Sequence, residues 1–589
     1  MKAKIKHFLS KLNSKRYKLP FEKRASIAVA SFNPLQKRIF KIFTIILITT
    51  TLGLLWKVNQ SFLVEIPQKG GSLIEGVVGT PRFINPLFAI SDADRDITAL
   101  VYSGLLRAGE NGSLETDLAE NYEVSEDGLT YTFTLKDNIV WHDGEPITSD
   151  DIVFTIQKAQ DSNLKSPKRA SWDGVTIEKI DDKTVQFTLK QPYAPFLENA
   201  TIGILPKHLW KDVTPDQFAF SKYNIKPIGS GPYKIKKIKK DKKTETPVYY
   251  ELVPFKKFVS GVPYISKIQI RFYPNTDELF KAFKDSEIES MNSIPPEIAK
   301  KLEDEGYRIE RTPFPRVFGA FFNQNQAKIF TDKAVRRALD AAINKEKIID
   351  SILYGYATIA NSPIPPGALG YSNEKNEDEY ATDEDRINYA KDILIADGWK
   401  FDEEKNVMTK KDSEELSFSI STSNIPELKE VANELKKEWE KIGARVDVKI
   451  FEIGDLNENV IRPRKYDVLL FGEIVGRSSD LFAFWHSSQR LDPGLNIALY
   501  ANITADKLLE QARKITDKKE RSGKYKQFKT EIDNDIPAIF LYYPDFIYVL
   551  PKKIKGVALN SATIPSERFL HIANWYIKTN KVWKIFIKD

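Results

Sequence analysis

Five histidines are the first residues to consider for chemistry, because imidazole is a common general base and zinc ligand. They stand singly, at His7, His142, His208, His486 and His571, without the HExxH spacing that places two metal ligands on one helix face. The chain has no cysteine, so thiolate metal sites, disulfides and cysteine nucleophiles are excluded. The sequence therefore predicts no catalytic residue, no metal and no cofactor.

Three other patterns that could carry catalysis are weak. Gly229-Ser230-Gly231-Pro232 lacks the lysine and the strand-to-helix context of a phosphate-binding loop, so it reads as a turn. Trp141-His142-Asp143-Gly144 reads as a strand end entering an Asp-Gly turn, with His142 hydrogen-bonded locally. Glu473 and Asp480 could form an acid/base pair, but the chain has 81 acidic residues and spacing alone does not select these two. We therefore do not expect an enzyme.

The charge distribution separates the N-terminal end from the main body. Residues 1–60 carry 13 Lys and Arg against one acidic residue, whereas the rest of the chain carries 75 basic and 80 acidic residues. Binding to a phosphate backbone requires clustered Lys and Arg, and the nearly neutral body shows no such cluster. Nucleic acid is therefore not an expected partner.

An uncharged segment follows the basic end. Residues Ile42–Trp56 lie between lysines on both sides, and residues 39–58 together reach the roughly 20 residues that span a bilayer. A cleaved signal peptide is the alternative, but no small-residue cleavage site follows. We expect an uncleaved single-pass anchor, with residues 1–38 as a basic cytoplasmic tail, residues 59–71 as a spacer and the bulk of the chain extracytoplasmic at the cell membrane.

The predicted secondary structure that would position a site differs between the first part and the middle of the main body. Leu73–Val78 reads as the first strand, and Tyr131–Leu135 and Val185–Leu189 alternate as half-buried strands. Later, Thr331 or Asp332 can cap an amphipathic helix, Thr504 can cap another, and Ile539–Tyr543 reads as a buried strand. The first part is therefore predicted to be rich in strands and the middle to mix strands and helices.

One stretch predicts a strand-helix-strand unit. Leu416–Ile420 and Val446–Ile450 alternate as strands, and a stripe of apolar residues from Leu428 to Ile442 lies between them. Such a unit should have a right-handed crossover and parallel strands. It would place Ser421–Asn424 at a strand's C-terminal end, where open α/β sheets bind ligands, although an ordinary helix cap explains these residues equally well.

A series of motifs resembles the extracellular solute-binding proteins of family 5, the oligopeptide- and dipeptide-binding components of ABC importers. The longest piece is LAENYEVSEDGLTYTFTL from Leu118, continued by WHDGEPITSDDI from Trp141. Others follow in the family's order: Ile84–Leu87, Tyr102–Leu106, Gly229–Tyr233, Phe321–Asn323, Val335–Leu339, Ala341–Asn344, Asp397–Trp399, Tyr466–Val468 and Asp535–Leu541. The resemblance covers the chain from about residue 72 to its end.

This resemblance implies an α/β fold, a two-lobed clamp of the class II periplasmic-binding type with a central ligand cleft. Lobe I would comprise residues 72–319 and 545–589, and lobe II residues 320–544, with hinges near Phe321 and Tyr542. The implied function is to capture an oligopeptide or similar solute between the lobes and to deliver it to the membrane subunits of an ABC importer. A sensory or cell-wall-fragment receptor with the same clamp is the alternative.

The resemblance also suggests where the ligand would bind. Peptide-binding members place an Asp shortly before a "DP" dipeptide to pair with the peptide's amino terminus, and here Gly476 or Arg477 occupies that neighbourhood. Glu473 or Asp480 would have to substitute, or the ligand lacks that charge, while Arg477 could attract a carboxylate or phosphate, or be an exposed loop charge. Phe482, Phe484 and Trp485 would either line the pocket or pack in the core. The candidate ligand-binding residues are Asn85, Phe322, Asn323, Gly472, Glu473, Arg477, Asp480, Trp485 and Tyr542.

Overall fold

The computed structural model describes residues 21–110, 112–365, 382–411, 414–477 and 480–586. It divides into two compact units, one formed by Met1–Pro67 with Thr579–Asp589 and the other by Gln68–Lys578. The first 20 residues of the predicted basic tail lie outside the described residues.

The first unit is built on two helices, Phe21–Ala30 and Pro34–Phe62. Asn33 begins the second helix, because its side chain accepts a hydrogen bond from the Gln36 N–H while the Gln36 side chain binds back to the Asn33 N–H. The predicted span of residues 39–58 lies within this 29-residue helix, which contains no buried residue. The segment predicted as a spacer contains the helix end and the strand Leu63–Gln68, which pairs with Lys578–Trp583.

The second unit contains a small antiparallel sheet and a large mixed sheet. The small sheet has the strand order Ala119–Val124, Thr130–Leu135, Thr184–Leu189 and Val175–Lys179, so the alternating patterns predicted there are confirmed. The large sheet runs in the order Arg445–Phe451, Ser417–Ser423, Val468–Ile474, Arg316–Phe322, Ala538–Leu550, Ser290–Asn292, Ser72–Val78, Lys267–Tyr273, Pro247–Pro254 and Tyr233–Lys240. Arg308–Pro313 and Ala357–Ile359 also pair with Ala538–Leu550, and two short hairpins join Leu106–Ala108 to Leu114–Thr116 and Lys400–Asp402 to Val407–Thr409.

Helices cover the faces of these sheets. The predicted strand-helix-strand unit is confirmed, since Ser417–Ser423 and Arg445–Phe451 pair in parallel and Pro426–Lys441 connects them. Of the two predicted caps, Asp332 is confirmed at the start of the helix Lys333–Ala341. The helix Ile503–Lys514 is capped by Asn502 and not by Thr504 as predicted. The remaining helices of at least seven residues are Asp92–Val101, Ser149–Gln160, Thr276–Lys284, Pro296–Asp304, Lys333–Ala341, Lys345–Ser351, Asp383–Ala396, Ile503–Lys514 and Lys518–Asp535, and shorter turns include Arg169–Trp172, Phe196–Asn199, Lys207–Trp210, Pro215–Phe218, Ile453–Asp455 and Phe482–Trp485.

The strand Ala538–Leu550 connects the hydrophobic cores of the second unit. Its first residues pair with Arg316–Phe322 and its last with Arg308–Pro313, so the partner strand is interrupted at Phe314 and Pro315. Ile539 and Leu541 pack in one cluster, Ala538 and Phe540 in a second, Phe546 and Tyr548 in a third, and Ile547 and Val549 in a fourth. The strand crosses between these clusters near Pro544, opposite the interruption at Pro315. The predicted lobe bounds and the hinges near Phe321 and Tyr542 stay a prediction.

Two buried polar clusters fix the strand-rich part of this unit. The Arg568 guanidinium binds the carboxylates of Glu75, at 2.9 Å, and Asp96, at 2.6 Å, and all three side chains are fully buried. Burial raises the pKa of Asp96 to about 6, although the adjacent guanidinium favours the ionised form. His142 is bonded to the carbonyl oxygen of Gly231 at 3.0 Å and not locally as predicted, because the Gly229–Tyr233 turn folds back onto it.

Candidate functional site

The second unit contains a cavity with a volume of about 980 Å³. Its lining comes from stretches that are far apart in the chain, around residues 112–122, 194–198, 313–315, 476–477, 518–526 and 560–563. Pro313, Phe314 and Pro315 lie at the interruption between the two strands that pair with Ala538–Leu550. The cavity therefore lies where the two halves of the large sheet meet.

A second cavity of about 310 Å³ adjoins the first. The two share Leu114, Glu198, Arg477 and Thr563 in their walls, so they form two chambers around the Arg477 side chain. The backbone approaches closely at this chamber, since a Cβ on Gly104 would lie 2.7 Å from the carbonyl oxygen of Thr201. Only glycine allows this approach.

Several buried polar atoms of the smaller chamber lack a hydrogen-bond partner among the described residues. They are the hydroxyls of Thr98 and Tyr102, Nε of Arg107 and Oδ1 of Asp117. Burial raises the pKa of the Asp117 carboxyl, and the charge of Arg107 opposes this shift. Unpartnered buried donors and acceptors are uncommon in folded proteins, and one explanation is a site whose ligand supplies the missing partners.

Arg477 is the predicted ligand-binding residue that lines both chambers. It follows Gly476, whose φ of 74° permits a turn after the strand Val468–Ile474. Its guanidinium binds the Glu567 carboxylate at 2.7 Å and donates to the carbonyl oxygen of Gly112 at 3.1 Å. The arginine therefore joins segments on opposite sides of the cavity while forming part of its wall.

A second set of contacts joins residues 193–194 to Asp480 and Arg513. Asp480 accepts hydrogen bonds from Arg513 at 3.0 Å and from the Tyr193 hydroxyl at 3.4 Å. The backbone N–H of Ala194 donates to the carbonyl oxygen of Arg513 at 2.9 Å, and the guanidinium lies 4.3 Å from the centre of the Phe482 ring. The Phe482 N–H also donates to Asp480 at 3.2 Å, so this carboxylate has three partners from the protein itself.

Glu473 is buried, with 3% of its surface exposed, and neither carboxylate oxygen has a hydrogen-bond partner among the described residues. Burial raises its pKa well above the usual range, and the nearby Trp485 indole opposes this shift without reaching hydrogen-bond geometry. It pairs in register with Val317, in the same core cluster as Trp485. Glu473 therefore points into this core and does not line either chamber.

The remaining predicted site residues lie outside the walls of both chambers. Asn85 bonds Asn224 at 3.0 Å, and Asn323 bonds the carbonyl oxygen of Arg464 at 2.8 Å, so both hold turns. Three aromatic residues pack in the cores: Phe322 against Phe330, Tyr542 against Phe318, and Trp485 against Phe540. Gly472 lets the Phe318 ring approach, since a Cβ would lie 2.7 Å from it. Their role in ligand binding stays a prediction.

The basic side of the larger chamber was not predicted from the sequence. Lys518, Lys519, Arg521 and Lys526 come from the first turns of the helix Lys518–Asp535. The helical charge pattern there looks like an ordinary solvated face, so no pattern in the sequence distinguishes these residues. Tyr102, by contrast, lies within the Tyr102–Leu106 motif, which could have indicated the smaller chamber.

Comparison with known proteins places this geometry in a family. A family model described as bacterial extracellular solute-binding proteins, family 5 Middle, matches residues 113–490. The chain belongs to this family. The predicted fold is confirmed, since solved family 5 structures superimpose on most of the chain and one apolar helix, Pro34–Phe62, precedes the binding fold.

Several relatives of this family 5 protein carry informative names. The oligopeptide-binding protein AppA of Bacillus subtilis is 29% identical over 87% of this chain and 92% of its own, and its structure in complex with a nonapeptide has a TM-score of 0.66. The ABC transporter substrate-binding protein CtaP of Listeria monocytogenes is 28% identical, with a TM-score of 0.74 over 87% of this chain and 100% of its own. NikZ of Campylobacter jejuni, in complex with Ni(L-His), is 29% identical, with a TM-score of 0.67 over 86% of this chain and 99% of its own.

Proposed function

We propose that this family 5 protein captures peptides in the two chambers and delivers them to an ABC importer. The observation that carries this proposal is the larger cavity of about 980 Å³ between segments on both sides of the sheet crossing. This volume is at the upper end of the usual range for small-molecule pockets, so it suits a ligand longer than a single amino acid. The names of its relatives, which include oligopeptide-binding proteins, support the same ligand class.

The unpartnered polar atoms of the smaller chamber support an extended, hydrogen-bonding ligand. Peptide main chains offer alternating donors and acceptors, which suit the hydroxyls of Thr98 and Tyr102 and the Arg107 Nε. A metal chelate such as the ligand of NikZ would fill only part of the combined volume. Cavity size therefore favours a peptide.

The contacts across the cavity give the site residues a role in closure. Arg477 with Glu567, and Asp480 with Tyr193, would hold the two lobes together over the ligand. Arg513 would position Asp480 from within the same lobe. Opening would break these contacts while the chain bends at the crossing near Pro315 and Pro544. Arg477 then acts both as a wall of the binding site and as a closing contact.

The first helix supports a membrane location. An 18-residue segment within Pro34–Phe62 has a mean hydropathy of 2.0, and none of its residues is buried. With the basic residues before it, this helix would hold the chain as a single-pass protein with the binding unit outside the cytoplasm. To test the anchor, residues 34–62 are deleted and membranes are washed with alkaline carbonate. We expect the full chain to stay with the membrane and the deleted form to be soluble, whereas a soluble full chain would contradict the anchor.

The peptide-binding proposal is tested by analysing what the purified full chain releases on denaturation, using mass spectrometry. We expect a mixture of short peptides. Gly523→Trp places an indole in the larger cavity, where a Cβ meets nothing within 4 Å, and should abolish the bound peptides. Gly454→Trp is the matched control, because Gly454 also has open space around its Cβ but lies outside the cavity walls. A single non-peptide solute in both the parent and the control would refute peptide capture.

A further inference from the structure

The larger chamber has a strongly cationic side. Four basic residues among its described lining residues lie on one helix: Lys518, Lys519, Arg521 and Lys526. Glu198 is the acidic residue among the described lining residues. None of these four cations makes an ion pair with a described residue. Arg477, the other cation in these walls, is paired with Glu567. The four uncompensated charges therefore create a positive potential within the chamber.

Arg521 is the central residue of this cationic side. Its exposed fraction is 9%, and its buried Nε has no hydrogen-bond partner among the described residues. A buried guanidinium N–H without a partner is costly, and the fork of N–H donors on arginine matches a carboxylate in shape. The chamber therefore offers this side chain to a group that the protein does not supply.

The helix that carries Arg521 adds to the attraction for an anion. Lys518–Asp535 has 18 residues, and its N-terminal turn, with the positive end of the helix dipole, borders the cavity. Asp517 caps this end by accepting from the Glu520 N–H at 2.8 Å. Both acidic side chains lie outside the cavity walls, so they reduce the positive potential without occupying the site.

From these observations we infer that the preferred ligands are peptides with acidic side chains, which bind with a carboxylate at Arg521 and the lysines around it. This inference rests on the proposed function and names its substrate class. A carboxylate placed there would form charge-assisted hydrogen bonds with Arg521 in a site partly shielded from salt. A peptide with basic side chains would be repelled by the same four cations.

The test compares three pentapeptides with the full chain in detergent, using isothermal titration calorimetry. They carry two glutamates, two glutamines or two lysines at the same positions and are otherwise alanine. We expect the glutamate peptide to bind about tenfold more tightly than the glutamine peptide, because one good charge-assisted hydrogen bond is worth about that factor. The lysine peptide should bind most weakly, and added salt should reduce the difference between the three.

Two variants connect the preference to these residues. Arg521→Gln should weaken binding of the glutamate peptide about tenfold and leave the glutamine peptide within twofold. The double variant Lys518→Gln with Lys519→Gln should have the same selective effect. Because both lysines are exposed, this variant keeps the test valid if Arg521→Gln fails to fold. Lys524→Gln is the matched control, because Lys524 is on the same helix but does not line the cavity.

The outcomes separate this inference from the peptide proposal. Equal affinities for all three peptides would overturn the acidic preference and leave peptide capture intact. Binding of none of them would overturn both, and if inorganic phosphate then bound in an Arg521-dependent way, the cationic side would serve a free anion and not a peptide. A selective loss for the glutamate peptide in both variants, with the control unchanged, would establish the acidic preference.

Discussion

The buried carboxyl of Glu473 gives a pH-dependent prediction that does not depend on a ligand. Both oxygens lack partners, and burial raises the pKa of this group well above 4.5. The folded state therefore favours the protonated form, whereas the unfolded chain releases the proton near its ordinary pKa. Glu473→Gln keeps the size of the side chain and removes the titration.

The sign of the effect follows from proton linkage. Below about pH 4.5 the carboxyl is protonated in both states, so the parent and Glu473→Gln should be nearly equal in stability. As the pH rises towards the folded-state pKa, the unfolded state of the parent loses its proton first and gains stability. The parent should therefore lose about 1.4 kcal/mol per pH unit relative to the variant, until the folded-state pKa is reached.

Differential scanning calorimetry at several pH values between about 4.5 and 8 measures this difference. With an unfolding entropy of about 2.1 cal/mol/K per residue, a binding unit of this size should shift by roughly 1 °C for each kcal/mol. Glu430→Gln is the control, since Glu430 is exposed on the helix Pro426–Lys441 and should show no such slope. A constant difference in melting temperature between parent and Glu473→Gln across this pH range would refute the reasoning.

Three further substitutions test contacts on which the fold and the closed cavity depend. Arg568→Met leaves two buried carboxylates without their cation and should lower the unfolding free energy by about 3–5 kcal/mol. Urea denaturation measures this loss, and an unchanged denaturation midpoint would contradict the buried ion cluster. Arg477→Gln removes the 2.7 Å ion pair with Glu567 across the cavity and should increase the rate of peptide release about tenfold. Stopped-flow fluorescence measures this rate, and an unaltered rate would argue against a closing contact. Gly229→Ala would put a Cβ 2.0 Å from the carbonyl oxygen of Val101. It should lower the melting temperature by about 1–3 °C, and normal stability would show that this turn can shift.

Much of the fold was predictable because it depends on local periodicity. The strands Ser417–Ser423 and Arg445–Phe451 alternate, and the helix between them buries one stripe, so their parallel pairing follows from the crossover rule. The exact helix start is harder to predict, since Asn502 and Thr504 are both good caps. Asn502 prevails because its side chain accepts hydrogen bonds from the N–H groups of both Thr504 and Ala505. The order of strand-rich, mixed and strand-rich regions suggests two lobes, whereas the class II type of clamp rests on the resemblance to a family.

The site was less predictable, because the partners of its charged residues are far away in the sequence. Arg477 reaches Glu567, 90 residues later, and Asp480 reaches Tyr193, 287 residues earlier. No local pattern indicates these pairs, so the sequence alone left both residues available for a ligand. Arg521 shows the opposite case, because it resembles an ordinary helical surface charge until the fold buries it.

The long strand Ala538–Leu550 also has a consequence for how the chain can fold as it is made. Because this strand supplies residues to all four hydrophobic clusters of the binding unit, none of them is complete until synthesis has passed residue 550. Its partners include Arg316–Phe322, more than two hundred residues earlier, so the final pairing closes long loops late. The four clusters should therefore be completed late, while much of the nascent chain is still in a form that a translocation channel can accept.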